Sequence, residues 1–315
     1  GSRAHEVEGL HMSFVLGQVL ACLATNSGAG PFVPGLRERA GQGVGLLAKR
    51  RDIGSVRAAH ELLASVFTSI KTPAPLRAAI ARAYKSLLRS LSQSVTEAEL
   101  VTYASNVLML GVPASVGAPS MAIVGGGGRW QGSVMEDGRQ VCACVATALG
   151  GLIERLSEDG KILLLQVLMA DVTQRLPALL GATPDLLQAV PTTCALHALT
   201  LLYTEIGGCQ PTAESWDVLL QLVAAPWTAT RVAAAQCLRS LGSKAPHYLL
   251  PSLHKCLQTL LSQASLSQGM RGAASVQGLC MTLAATAMAA RVHSHGIPCE
   301  LLDSFMSVAK MLLKE

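Results

Sequence analysis

Two imidazoles and a thiol fall close together in His293-x-His295-x3-Cys299, the densest set of metal-type donors in the chain. A structural zinc site needs four nitrogen or sulfur ligands in a tetrahedron. The only fourth donor nearby is Cys280, on the preceding helical stretch, and no recognised spacing brings it in. The histidines therefore read as solvated loop residues, and no metal ligand is assigned. Cys142-x-Cys144 has one intervening residue rather than two, so the thiols point to different helix faces and dithiol redox work is not expected. The four glycines at 125–128 lack a following Lys-Ser/Thr and a preceding strand, which a phosphate-cradling loop requires. G-x-S-x-G and H-E-x-x-H are both absent. His197, on an apolar helical face, reads as a core or groove residue rather than a general base. No catalytic, cofactor-binding or metal residue is assigned, no cofactor is expected, and the chain reads as non-enzymatic. A metal-dependent hydrolase would have to show stoichiometric metal.

The elements that would position such residues are helices. Half of the 315 residues are hydrophobic, 14% are charged and only 3% are aromatic. Leu and Ala abound, and both favour helix. Few segments alternate with period two, so the fold class is all-α. Mean hydropathy is +0.40, high enough to raise a membrane reading. The longest uncharged helical run, residues 272–290, is just long enough to span a bilayer but is rich in Ala, Gly, Ser and Thr and poor in Leu, Ile and Phe. A helix packed closely through small residues explains it better, and no membrane span is expected.

Gly1-Ser2 reads as an expression scar, and no signal peptide follows. Nine cysteines without a framework point to a reducing, cytoplasmic compartment. The net charge of +5 has no long basic run behind it; Lys49-Arg50-Arg51 is followed at once by Asp52. With few aromatics for base stacking, nucleic-acid binding is not expected.

Along the chain, residues 1–54 hold a short apolar helix (10–24) and a Gly/Pro-rich segment. Residues 55–110 carry helical repeats at 55–70, 76–91 and 96–110. The second has Leu76, Ile80, Ala83, Tyr84, Leu87, Leu88 and Leu91 on one face, with Arg77, Arg82, Lys85 and Arg89 largely off it. The third opens on a capping box, Thr96 with Glu99. Residues 111–138 are a flexible Gly-rich insertion. Residues 139–315 continue the repeats at 139–156, 159–180, 183–190, 192–206, 212–224, 228–241, 246–262, 267–290 and 297–313. Pro177 should kink or end its helix, and Pro191 should separate 183–190 from 192–206.

Residues 213–261 show the repeat most clearly: an apolar helix, a Pro turn, an Arg-Val-Ala-Ala-Ala helix, a second Pro turn and another apolar helix. That is the pattern of a HEAT-type helical repeat. At 40–47 residues each, about six helical pairs fit the chain, forming a right-handed α-solenoid. Trp216, Leu219, Leu220, Leu222 and Val223 should form the core face of the first helix. Val232, Ala235, Cys237, Leu238 and Leu241 should form that of the second. Arg231 should reach carbonyls or acids of a neighbouring repeat. Trp130, in the insertion, and Trp227, in the turn, are the two candidate partner-binding residues, although packing onto the scaffold is the simpler role for each.

Four segments carry a more specific likeness: TRVAAAQCLRSL (230–241), LLPSLHKCLQTL (249–260), GMRGAASVQGLCMTLAA (269–285) and HGIPCELLDSFMSVAKMLL (295–313). Their order resembles the HEAT-repeat-containing protein 5 family, large cytosolic proteins associated with the type-1 clathrin adaptor on endosomes and the trans-Golgi network. The Gly-Ile-Pro opening the last helix is the most diagnostic piece. Residues 76–110 look like preceding repeats of the family, whereas the 111–138 insertion departs from it. The family has no catalytic residues to carry over.

The resemblance implies a protein-interaction scaffold in vesicle-mediated transport. Its partners would be the clathrin adaptor complex and accessory factors, recruiting a cytoplasmic protein to endosome or trans-Golgi membranes. Two other readings fit the repeat pattern. One is a nuclear-transport-receptor-like carrier, which the positive charge disfavours. The other is a structural spacer with no partner of its own.

Overall fold

The structure, a computed structural model, describes Leu63 and residues 74–89, 96–109, 142–181, 185–207, 212–263, 270–293 and 296–312. The expected helix at 10–24, the Gly/Pro-rich segment, most of 55–70 and the whole 111–138 insertion, with Trp130, lie outside the described residues. Of the residues described, 85% are helical and none is in a strand, so the chain is all-α. It divides into two compact units, residues 1–164 and 165–315.

In the first unit, α1 (Ala74–Arg89) buries Ile80, Ala83, Tyr84, Leu87 and Leu88, the stripe expected from the 3.6-residue period. Tyr84 is fully enclosed, and burial pushes its phenol well above the ordinary range. Lys85 and Arg89, off the stripe, both pair with Glu154. These are exposed ion pairs, worth up to about 1 kcal/mol. Helix α2 (Glu97–Met109) starts on the reciprocal capping box: Thr96 N–H donates to Glu99 Oε2 at 2.9 Å, and Glu99 N–H to Thr96 Oγ1 at 3.3 Å. Helix α3 (Cys142–Ile153) presses Gly151 against the Lys85 backbone, where a Cβ would lie 2.7 Å from the carbonyl oxygen.

Helix α4 (Glu158–Leu180) begins in the first unit and ends in the second. Ser157 caps it, accepting from Gly160 N–H at 3.1 Å, while Glu97 accepts from Ser157 N–H at 3.1 Å. A carboxylate at this end complements the helix dipole. Among the described residues, α4 is the one helix long and apolar enough to cross a membrane. The run at 272–290, which the sequence singled out, lies instead in a helix that packs inside the second unit.

The second unit continues with α5 (Leu186–Glu205), α6 (Ala213–Leu222), α7 (Thr228–Gly242), α8 (Pro246–Gln263), α9 (Met270–Ala290) and α10 (Cys299–Leu312). Helix α7 is its hub and packs on α5, α6 and α9; α8 packs on α9 and α10. The hub role follows from sequence: Ala233, Ala234 and Ala235 are all buried, so neighbouring helices approach closely. A second apolar cluster joins Leu253, Leu257 and Leu260 of α8 to Leu283 of α9 and Val308 of α10, with Leu301 and Phe305 against it.

Pro191 and Val232 depart from expectation. Pro191 does not divide two helices; α5 runs through it. At the sixth helical position Pro removes one early hydrogen bond, a cost of about 3 kcal/mol in a helix interior. Burial of Thr192–Leu196, Ala198, Leu199, Leu202 and Tyr203 further along offsets it. Val232 does not face the core; it is exposed, and Val218 of α6 is buried in addition to the expected residues. The true stripe of α7 runs through Ala234, Cys237, Leu238 and Leu241, leaving position 232 on the opposite side.

Inside this unit the Thr193 and Thr230 hydroxyls meet at 2.9 Å, both buried, tying α5 to α7. Thr193→Val should cost about 1–3 kcal/mol, because Thr230 loses its buried partner. Thr193→Val with Thr230→Val should recover much of that loss. A double-mutant cycle by urea denaturation checks the pair, and additive losses would mean the two hydroxyls do not depend on each other.

Candidate functional site

The α6–turn–α7 segment gathers the polar chemistry of the second unit. Thr212 caps α6 by accepting from Ser215 N–H at 3.2 Å. Trp216, one residue on, is buried, and its indole N–H donates to Ser252 Oγ of α8 at 2.7 Å. Its ring stacks on Tyr248 with centroids 5.5 Å apart. The indole thus joins two helices through both its apolar face and its one donor.

Helix α6 stops at Leu222, and a turn leads to Trp227 at the N-cap of α7. Trp227 has extended backbone and a half-buried side chain, and its carbonyl accepts from Arg231 N–H at 3.1 Å. Arg231 is only 4% exposed, an unusual state for a cation. Its Nη1 donates to the carbonyls of Ala225 and Pro226, each at 2.8 Å. Its Nη2 donates to Thr228 Oγ1 at 2.9 Å and to Gln277 Oε1 of α9. The carbonyls lie just past the C-terminus of α6, the negative end of that helix, so the guanidinium is held by dipoles rather than by a carboxylate. Burial lowers its pKa from the ordinary value, but guanidinium remains charged at any working pH. The expected reach to carbonyls is present, but those carbonyls belong to Arg231's own turn; the contact with the next pair is to Gln277. Among the described residues, Nε has no hydrogen-bond partner.

Gly278 explains how Gln277 comes within reach. A Cβ built on it would sit 1.7 Å from the Val223 carbonyl oxygen. Helix α9 therefore lies directly on the α6–α7 turn, with Gln277 delivered to Arg231 from the adjoining position. Sequence reading valued residues 272–290 only as small and apolar. Arg231 was expected to reach a neighbouring repeat, but Gln277 as its acceptor and Gly278 as the point of close approach were not identified.

The metal-type donors do not converge among the described residues. His293 Nε2 lies 3.0 Å from the Gly242 carbonyl oxygen at the end of α7. A ring nitrogen facing a carbonyl carries the hydrogen, so it offers no lone pair to a metal. Cys299 is exposed at the start of α10, and Cys280 is half-buried on α9. His295 lies outside the described residues. Gly296, with φ of 56°, holds the left-handed turn that leads into the Ile-Pro opening of α10.

The thiols are protected rather than activated. Burial pushes Cys237 up to about 12, against a smaller opposite effect of its hydrogen bond with Thr200. Burial likewise pushes Cys256 up to about 11, opposed by the neighbouring Lys255 charge. Cys142 and Cys144 are both buried. Half-buried His197 is held below its ordinary pKa by burial, as an enclosed neutral imidazole is.

A maleimide at neutral pH should therefore modify Cys299 first among the described cysteines, with Cys237 and Cys256 labelled only after unfolding. Peptide mapping by mass spectrometry reads this directly, and early labelling of Cys237 would contradict the burial. The raised thiol pKa values also set a stability trend. Their contribution is complete below the unfolded cysteine value of about 8.5 and is lost as pH rises toward the folded values, because only the unfolded chain then ionises.

Alongside the Arg231 contacts runs an open groove between α6, α8 and α9. Leu220, Val223, Cys256 and Leu279 give it an apolar floor, and Asp217, Gln221 and Lys255 stand exposed at its rim. Sequence reading placed Leu220 in the core; it is half-buried in this groove. Trp227 does not line the groove. Comparison of the chain with protein-family models, with curated proteins and with solved structures finds no match.

Proposed function

We propose that the chain is a segment of a HEAT-type, right-handed α-solenoid that serves as a protein-interaction scaffold in clathrin-adaptor-dependent traffic between endosomes and the trans-Golgi network. The observation that carries the scaffold reading is the packing order of residues 165–315. Helices α6 and α7 pair, α8 and α9 pair, and α5, α7 and α9 pack in succession. Stacked pairs bury a continuous core and leave long faces for partners. The trafficking assignment is supported by the resemblance of residues 225–313 to the HEAT-repeat-containing protein 5 family. Recruitment to membranes then runs through protein partners, and the chain carries out no reaction of its own.

The test is direct retention of purified type-1 clathrin adaptor and its accessory proteins on the immobilised chain. Salt-resistant retention is expected. If a folded, helical chain retains none of them, the trafficking assignment fails and the spacer reading replaces it.

A further inference from the structure

We infer that the groove between α6, α8 and α9 is a docking site for an extended peptide segment of a partner protein, bearing one apolar side chain flanked by a basic and an acidic residue. The inference rests on the scaffold reading and names the site that reading lacks.

Two faces of α8 meet at Cys256. Leu253, Leu257 and Leu260 join the apolar cluster shared with α9 and α10, and Cys256 belongs to that cluster as well. One position earlier in each case, Ser252, Cys256 and Thr259 border the groove. Small side chains at i, i+4 and i+7 leave the space between α6 and α8 unfilled. Their polar atoms are already engaged or suppressed. Ser252 accepts from Trp216, Thr259 donates to the Lys255 carbonyl at 2.7 Å, and the Cys256 thiol is held neutral by burial. The floor thus offers methyl, methylene and sulfur surface, suited to an apolar group.

The rim is charged in a defined order. Asp217 follows Trp216 directly on α6, and Lys255 lies three positions past Ser252 on α8, so the Trp216–Ser252 bond brings both to the groove. Neither makes an ion pair or side-chain hydrogen bond among the described residues. Gln221, also exposed, carries an amide that can both donate to and accept from a peptide backbone. An apolar floor with a negative and a positive rim group is complementary to an apolar side chain flanked by a base and an acid.

The probe is a phage-displayed library of random twelve-residue peptides, selected on the intact chain. Enriched peptides should share an apolar residue with a base on one side and an acid on the other. Asp217→Lys or Lys255→Glu should each weaken them about tenfold or more, since like charges then meet. Both positions are exposed, so the fold is not threatened, and a circular dichroism melt confirms it. Selection on the Asp217→Lys/Lys255→Glu double variant should enrich peptides with the charge order reversed. Peptides lacking the pattern, or binding the reversed chain as tightly as the original, would overturn the assignment. Adaptor retention that survives both reversals, alongside peptides lacking the pattern, removes the groove while leaving the scaffold. Patterned peptides with no adaptor retained do the opposite.

Discussion

Gly278→Ala should destabilise residues 165–315 by about 3 kcal/mol or more, although the same change in an ordinary helix stabilises by about 1 kcal/mol. The reversal of sign comes from the Val223 carbonyl oxygen, 1.7 Å from where the new Cβ would stand. That neighbour is backbone, so it cannot rotate away. Relief requires α9 to withdraw from the α6–α7 turn, which also pulls Gln277 from Arg231. Gly150→Ala is the internal control: nothing lies within 4 Å of its added methyl, and helix propensity alone should act. Urea denaturation of both variants decides the matter. A Gly278→Ala protein as stable as the parent would mean that α9 does not lie on the turn.

Arg231→Ala should cost about 3 kcal/mol, through a different mechanism. The guanidinium satisfies the buried Ala225 carbonyl and the part-buried Pro226 carbonyl at the end of α6, and a buried acceptor left without a donor costs about 1–3 kcal/mol. Arg231→Lys should recover only part of the loss. A single ammonium lacks the planar fork that serves two carbonyls with one nitrogen and reaches Gln277 with the other. Gln277→Ala should cost less, because Gln277 is exposed and its freed partner retains three bonds. The Arg231/Gln277 double-mutant cycle should show a coupling of about 0.5–3 kcal/mol. An Arg231→Ala variant within 0.5 kcal/mol of the parent would show the network to be dispensable.

These variants mark the line between what the sequence discloses and what it hides. The Thr96–Glu99 box was legible because it is settled within one helical turn. The start of α7 at Thr228 and of α8 at Pro246 follow from local turn residues as well. Pro191 was misread because its local cost is outweighed by burial along the rest of α5, which depends on helices far away in sequence. Val232 was misplaced because three consecutive alanines blur the phase of an apolar stripe. For the site, Arg231 was legible as a structural cation, but Gln277 and Gly278 were not, since their role depends on how α9 meets the turn. The groove was illegible for the same reason: small residues at 252, 256 and 259 signal space only once α6 is placed beside them.

The cysteines carry a consequence for the life of the protein outside its native state. Cys142, Cys144, Cys194, Cys237 and Cys256 are all enclosed. When the chain opens, these thiols become accessible together, Cys237 and Cys256 lose the burial that raises their pKa, and all become oxidisable. Heating in air then turns a reversible opening into a one-way loss, because disulfides formed in the open chain trap it there. The helical core thus acts as a protecting group for its own sulfur, and the protein's lifetime depends on how rarely that core opens as well as on how favourable the folded state is.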